Sequence, residues 1–398
     1  MLYEWIGDNN FRNGMHNYLK RFSYSAASTE DLWTELEGAS KLPVAKVMQD
    51  WTGRMGFPIV RAEIESKTET SITLKLSQAK FTAVGKSDDT DQPWHIPMEI
   101  TSSNQKKKIL IDQKVSTVTI DNVDLKNSWI IINSGAAGFF HVQYSTELFN
   151  LLMSNLKGLE TVDRLKLSSD LYCLCRAGLE PSDKYLRLFE AFSGETEYSV
   201  LSDILDGIST FKSFAEYLEV SDQLDDLIIT TISSCAKKIG WNAKEDDTHT
   251  TPLLRALLLR HMGLSKNSET KKQAQIKFEK LKSDPNSLDP DLKTTVFTIC
   301  AANANCVNDF IQLHSTYELQ EEKDRIEVSI GAVKRQILKY VSLRIFPLKI
   351  EISKRYKMPF RPTATFVKYR MKNNPCLAFL FYTVHRKIIP SSSVIYNL

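Results

Sequence analysis

The side chains with reactive potential are seven histidines, six cysteines and a few charged residues set inside apolar runs. The histidines stand at 16, 95, 141, 249, 261, 314 and 385, and no two are four apart. A helix carrying H-E-x-x-H is therefore not encoded, since no pair of histidines falls at the spacing it needs. The cysteines, at 173, 175, 235, 300, 306 and 376, make no C-x-x-C pair and no regular disulfide framework. Cys173 and Cys175 flank one leucine in an apolar helix, where small thiols are common, so the cysteines are read as reduced and structural. There is no phosphate loop, no G-x-S-x-G elbow and no Rossmann fingerprint. Gly135-Ala136-Ala137-Gly138 reads as a turn between strands that opens no helix. No catalytic or metal-ligating set is assigned.

Two residues remain as candidates for lining a substrate chamber. His249 follows the acidic run Glu245-Asp246-Asp247 and precedes Thr250-Thr251. It reads either as a metal or substrate contact or, the favoured reading, as part of a solvated loop and helix cap before Pro252. Arg255 sits inside an otherwise apolar helix. It could face a cavity and meet a substrate carboxylate. Pairing with an acid on a neighbouring helix is the favoured alternative.

The elements that must position these residues follow from period. Phe11, Met15, Tyr18 and Phe22 recur at helical spacing behind Asp8, a candidate N-cap. Ser28-Thr29-Glu30-Asp31 reads as a capping box, and Pro43 as a helix start before Val44, Val47, Met48 and Trp51. Three amphipathic helices are thus expected before Gly56 and Pro58. From Phe57 to Tyr144 the period becomes 2, as in Val60/Ala62/Ile64 and Ile72/Leu74/Leu76, with polar loops such as Gly85–Asp91 between strands. About seven short strands suggest a small β-sandwich. From Ser145 to about Leu338 the helical period returns, as in Leu167/Leu171/Leu174 and Val296/Ile299/Cys300. Breaks are expected at Gly178–Pro181, Ser193-Gly194, Gly240, Gly263 and Ser283–Pro290. Roughly ten helices on short loops suggest stacked helical pairs, an α-solenoid-like array.

The net charge of +3 is uneven. Residues 341–398 hold eleven Lys/Arg against Glu351, a net of +10, which leaves −7 for residues 1–340. This tail is rich in aromatics and Pro and has no clear period, so it reads as disordered or as sequence that did not evolve with the fold. It would suit an acidic surface, but no recognisable module accompanies it, and nucleic acid is not expected as a partner. No stretch reaches the ~18 apolar residues of a membrane span, and Met1–Trp5 does not read as a signal peptide. A cytoplasmic protein is expected.

Read together, the segments resemble the gluzincin zinc aminopeptidases, most of all the puromycin-sensitive type. The residues that carry the resemblance begin with Trp5-Ile6-Gly7-Asp8, Ser28 to Trp33, and Trp51-Thr52 with Met55-Gly56-Phe57-Pro58. Gln78, Phe81, Trp94-His95-Ile96-Pro97 and Gly138 to Tyr144 continue it in order, followed by Asp163-Arg164-Leu165, Gly240-Trp241 and Leu253-Leu254-Arg255. The family usually has Gly-Phe-Tyr-Arg-Val where this chain has Phe140 and His141 in place of Tyr and Arg. The resemblance covers about residues 1–338. It implies a multidomain α+β chain with four segments. Residues 1–56 would be the helical end of a catalytic domain, 57–144 a β-sandwich, 145–340 an all-α C-terminal domain, and 341–398 a divergent tail.

It further implies that substrate-binding, zinc-binding and catalytic residues belong to sequence upstream of Met1, so zinc is implied for the complete family member and no cofactor for this chain. The chain would supply the sandwich and the helical lid over a chamber that admits peptides. Its partners would be peptides and the missing catalytic domain or a full-length relative. The competing expectation is a non-catalytic, peptide- or partner-binding helical scaffold that regulates a full-length relative.

Overall fold

The computed structural model describes residues 1–85, 92–123, 128–217, 219–302 and 306–330. They divide between two compact units, one Met1–Leu188 and the other from Phe189 on. The expectations for residues 86–91, 331–340 and the tail 341–398, with Cys376 and His385, lie outside the described residues.

Four helices open the first unit, not three: α1 (Leu2–Ile6), α2 (Asp8–Arg21), α3 (Thr29–Ser40) and α4 (Val44–Gly53). Asp8 is not the N-cap but the first residue of α2. Gly7, at φ 83°, takes the cap and makes the break from α1, a conformation glycine adopts without a Cβ penalty. Ser28 caps α3 as its sequence implies. Its Oγ accepts from the Asp31 N–H at 3.3 Å, and Asp31 Oδ2 accepts from the Ser28 N–H at 2.8 Å. Ile6, Leu36 and Val44 bury between these helices, with Trp5, Phe11, Trp33 and Met48 partly buried around them.

Seven strands follow among the described residues: β1 (Pro58–Lys67), β2 (Ser71–Lys80), β3 (Ile96–Ser102), β4 (Lys106–Ile111), β5 (Val115–Asp121), β6 (Ile130–Ile132) and β7 (His141–Tyr144). They form a four-stranded sheet, β5-β2-β1-β7, and a three-stranded sheet, β4-β3-β6. Alternation sets the inner face: Ile72, Leu74 and Leu76 of β2 are buried, and Leu74 and Leu76 lie opposite Ile64 and Ala62 of β1. β7 runs parallel to β1, with His141 opposite Ile59. Tyr144 joins the two sheets: its hydroxyl accepts from the Ile132 N–H at 2.9 Å and donates to the Ile132 carbonyl at 3.3 Å. Burial drives this phenol's pKa far up, so it remains a donor. Helices α5 (Thr146–Ser154) and α6 (Thr161–Arg176) pack on β1 and β7. The period therefore changes at Ser145, while the compact unit continues to Leu188, within α7 (Ser182–Ala191).

The second unit continues with α8 (Tyr198–Tyr217), α9 (Ser221–Ile239), α10 (Thr251–Leu264), α11 (Ser268–Ser283), α12 (Pro290–Ala302), α13 (Val307–Thr316) and α14 (Gln320–Ile330). Packing runs between helices one or two apart along the chain: α8 on α9 and α10, α9 on α10, α10 on α11 and α12, α11 on α12, α12 on α14. Such a ladder of local contacts is the stacked arrangement its period implies. Phe278, Phe297 and Phe310, one each from α11, α12 and α13, bury completely with ring centroids 5.0–6.0 Å apart. Gly263 is not a helix break. It lies inside α10, where a Cβ would stand 2.5 Å from Ile299 Cδ1, so it allows α10 and α12 to approach. The other four expected breaks fall between helices.

One histidine of this unit sets a pH response. Burial, then the cations Arg260 and Lys212, hold the His261 pKa down to about 3, against an ordinary 6.5. Folding keeps it neutral, so its contribution is present above about pH 6.5 and is lost as pH falls toward 3. We expect His261→Gln to flatten the acid limb of this unit's stability by about 2 kcal/mol between neutral pH and about pH 4.5. Urea titrations read by far-UV circular dichroism at several pH values would measure it; parallel acid limbs for the two proteins would contradict it.

Candidate functional site

The acidic loop before α10 positions Arg255. Thr248, Thr250 and Thr251 exchange hydroxyl contacts in this loop, with the Thr248 N–H on Thr251 Oγ1 at 3.0 Å. Pro252 sits in the first turn of α10, where its missing N–H costs nothing. Arg255, one turn further, is only 2% exposed. Its Nη2 lies 2.5 Å from Asp247 Oδ2, which also accepts from the Lys244 N–H at 3.0 Å. The Arg255 contact, then that N–H, hold the Asp247 carboxyl below the usual carboxylate range. Arg255 thus pairs with an acid, but one from the loop leading into its own helix, not from a neighbouring helix. Its Nε is buried without a hydrogen-bond partner among the described residues. His249 stands exposed on the same loop. The structure therefore brings Arg255 to the acidic run and leaves His249 toward solvent.

In the first unit, the residues that carried the resemblance turn out to be joints. Gln78, buried in β2, accepts from the Trp94 N–H at 2.8 Å and donates to the Trp94 carbonyl at 2.9 Å and the Gln113 carbonyl at 3.0 Å. Trp51 of α4 donates its indole N–H to the His95 carbonyl at 3.0 Å. Asp50 Oδ2 meets both the His95 N–H (2.8 Å) and its Nδ1 (2.6 Å). Arg54 donates to the Gln92 and Pro93 carbonyls and lies 4.2 Å from the Trp94 ring centroid. Together these fix α4 to the entry of β3.

A second joint fixes α6 to β7. Lys166, Asp170 and Cys173 are spaced i, i+4, i+7 on α6 and so share a face. Asp170, 2% exposed, accepts from the Val142 N–H at 3.1 Å and places Oδ1 2.6 Å from His141 Nδ1. Lys166 also contacts Asp170 Oδ1 and donates to the Phe140 carbonyl at 2.9 Å. Burial pulls the His141 pKa down, but the hydrogen bonds that the protonated ring makes to Asp170 and Cys173 outweigh it and raise it to about 9. Asp163, near the start of α6, accepts from the Gly135 N–H at 2.7 Å and from Ser134 Oγ at 3.3 Å, and burial raises its pKa. The turn at Gly135–Gly138 is thus an anchor for α6, and it opens no α-helix.

Asp50, Arg54, Lys166 and Asp170 were not singled out in the sequence. Their signal is a charge inside an amphipathic or apolar run, which marks a buried pair without naming the partner. A cleft of about 250 Å³ lies beside Trp5, Met98, Lys106, Lys108 and Asp163. Among the described residues no three His, Cys, Asp or Glu side chains converge as a metal-binding set. Among the described residues no donor set is placed to hold the zinc that the resemblance implies for the complete family member, and no chemical step is assigned through it.

Comparison with known proteins agrees with this geometry. Residues 129–353 match the family described as ERAP1-like C-terminal domain, and residues 1–51 match the peptidase family M1 domain. Aminopeptidase M1-A of Oryza sativa subsp. japonica is 28% identical over 352 residues, covering 83% of this chain and 39% of that protein. Puromycin-sensitive aminopeptidase of Caenorhabditis elegans is 24% identical, covering 85% of this chain and 36% of its own length. Glutamyl aminopeptidase of Sus scrofa is 26% identical with the same two coverages. The chain therefore spans under two-fifths to two-fifths of the length of the curated relatives it matches. With an ERAP1-like C-terminal domain over more than half its residues, it belongs to the M1 aminopeptidase family, of which it holds the C-terminal region.

Proposed function

We propose that this chain works as the C-terminal part of a zinc-dependent aminopeptidase that removes N-terminal residues from peptides. Its sheets and helices form the wall and lid of the peptide chamber, and the metal chemistry belongs to sequence outside it. The match of residues 129–353 to the ERAP1-like C-terminal domain carries this reading. The spacing of the seven histidines supports it, since none can build H-E-x-x-H. Without a metal, nothing present would lower the pKa of an attacking water or polarise a peptide carbonyl. The chain alone is then inactive. Tyr3, Leu19 and Met55, exposed on the opening helical segment, offer apolar surface to a catalytic domain. No described helix is long and apolar enough to cross a membrane, and we place the protein in the cytoplasm. Assay of the purified chain on aminoacyl fluorogenic substrates, with and without added zinc, is expected to give no turnover; zinc-dependent turnover would refute the assignment of the chemistry.

Arg255, buried and paired with Asp247, is assigned to holding the acidic loop on α10 and not to substrate. Arg255→Ala is expected to destabilise the helical unit by about 3–5 kcal/mol by leaving Asp247 without its partner; an unchanged urea midpoint would contradict that.

A further inference from the structure

The cleft of about 250 Å³ in the first unit has no part in the aminopeptidase reading. Its size limits what it could hold. A cavity of about 150 Å³ takes one benzene ring, and drug-sized ligands fill about 300–1,000 Å³. The cleft therefore suits one small molecule rather than a peptide.

Its polar lining comes in two signs, each from its own element. β4 is an edge strand whose side chains alternate, so Lys106 and Lys108 share a side, and both border the cleft. Lys107, between them, turns to the other face and donates to the Thr119 carbonyl. The start of α6 contributes two carboxylates, Glu160 and Asp163.

These opposite charges share the cleft without pairing. Lys108 donates to the Glu4 backbone carbonyl, which is neutral. Lys106 stands 3.6 Å from Glu99, too far for a hydrogen bond. Asp163, 3% exposed, accepts from two neutral donors, the Gly135 N–H and Ser134 Oγ. Burial raises its pKa, and Lys106 is the weakest of the groups that oppose the rise. Glu160 precedes α6 without capping it through its side chain. Among the described residues neither α6 carboxylate has an ion-pair partner. Trp5, Met98 and Val162 add apolar surface to the same cleft.

We propose that this cleft binds a free α-amino acid with an apolar side chain. The ligand's carboxylate meets Lys106 and Lys108, its ammonium meets Glu160 and Asp163, and its side chain lies along Trp5, Met98 and Val162. A zwitterion supplies both counter-charges at once, which a simple amine or a simple acid does not. A peptide N-terminus brings the ammonium but carries its carboxylate out of reach. Such an amino acid is the product class of an aminopeptidase, although the binding itself does not depend on that reading.

The probe is L-leucine, titrated by calorimetry into the full 398-residue chain, a measurement that needs no turnover. We expect a Kd of about 1 mM or tighter. Leucinamide, which lacks the carboxylate, and isocaproate, which lacks the amine, should each bind at least about tenfold more weakly. Lys106→Ala combined with Lys108→Ala changes two exposed side chains, and Glu160→Gln changes a third. Each variant should weaken L-leucine about tenfold. Absence of L-leucine binding at about 10 mM would overturn the proposal. So would equal affinities for the three ligands, or variants that bind L-leucine as the wild type does.

Discussion

Phe297→Ala is expected to destabilise the helical unit by about 3–5 kcal/mol. Phe297 is fully buried on α12, edge-on to Phe278 at 6.0 Å and to Phe310 at 5.6 Å. Truncation removes the transfer energy of a ring and leaves a cavity at the junction of three helices. α12 packs most heavily on α14, α10 and α11, and its Phe297 ring meets Phe310 of α13, so the loss should spread from α12 into α10, α11, α13 and α14. Hydrogen exchange would show it as faster exchange in those helices, with the strands of the first unit unchanged. A change below about 1 kcal/mol would mean that the aromatic cluster can collapse around the gap.

The second large effect is expected at Asp170. Asp170→Ala removes an acceptor shared by three groups: the His141 imidazolium, the Val142 N–H and the Lys166 ammonium, which keeps only the Phe140 carbonyl. Removing one member of a buried charge network costs about 3–5 kcal/mol, because the remaining charges stay desolvated. The same site sets an alkaline limb. The His141 pKa rises from 6.5 to about 9 on folding, so its stabilisation is present below about pH 6.5 and is lost as pH climbs through 9. About 1–2 kcal/mol should disappear over that window in the wild type, and none in Asp170→Ala. Five of the six tryptophans, at 5, 33, 51, 94 and 129, lie in the first unit, so tryptophan fluorescence in urea reports this unit. A wild type equally stable at both ends of the window would contradict the assignment.

The period of apolar residues makes the architecture legible, because burial follows it. Leu167, Leu171 and Leu174 bury on α6, and Ile72, Leu74 and Leu76 bury on β2. What period cannot convey is which distant group a polar residue meets. Asp170 finds its partner 29 residues earlier, on a strand whose place is decided by sheet packing. Arg255 shows the same limit at shorter range: a charge in an apolar helix announces a buried pair, but the geometry of the loop chose Asp247 eight residues before it. Glycine misleads for a related reason. Gly7 breaks a helix through its positive φ, whereas Gly263 continues one and serves a close approach to Ile299. Both functions need a missing Cβ, and only the neighbours distinguish them.

The quantity that bears most directly on the account is the mass of the native protein, detected with an antibody raised against residues 145–338. A region serving as wall and lid for a separate zinc-bearing segment should be found in a species well above the 45.4 kDa of this chain. A single native species at 45.4 kDa would contradict that account.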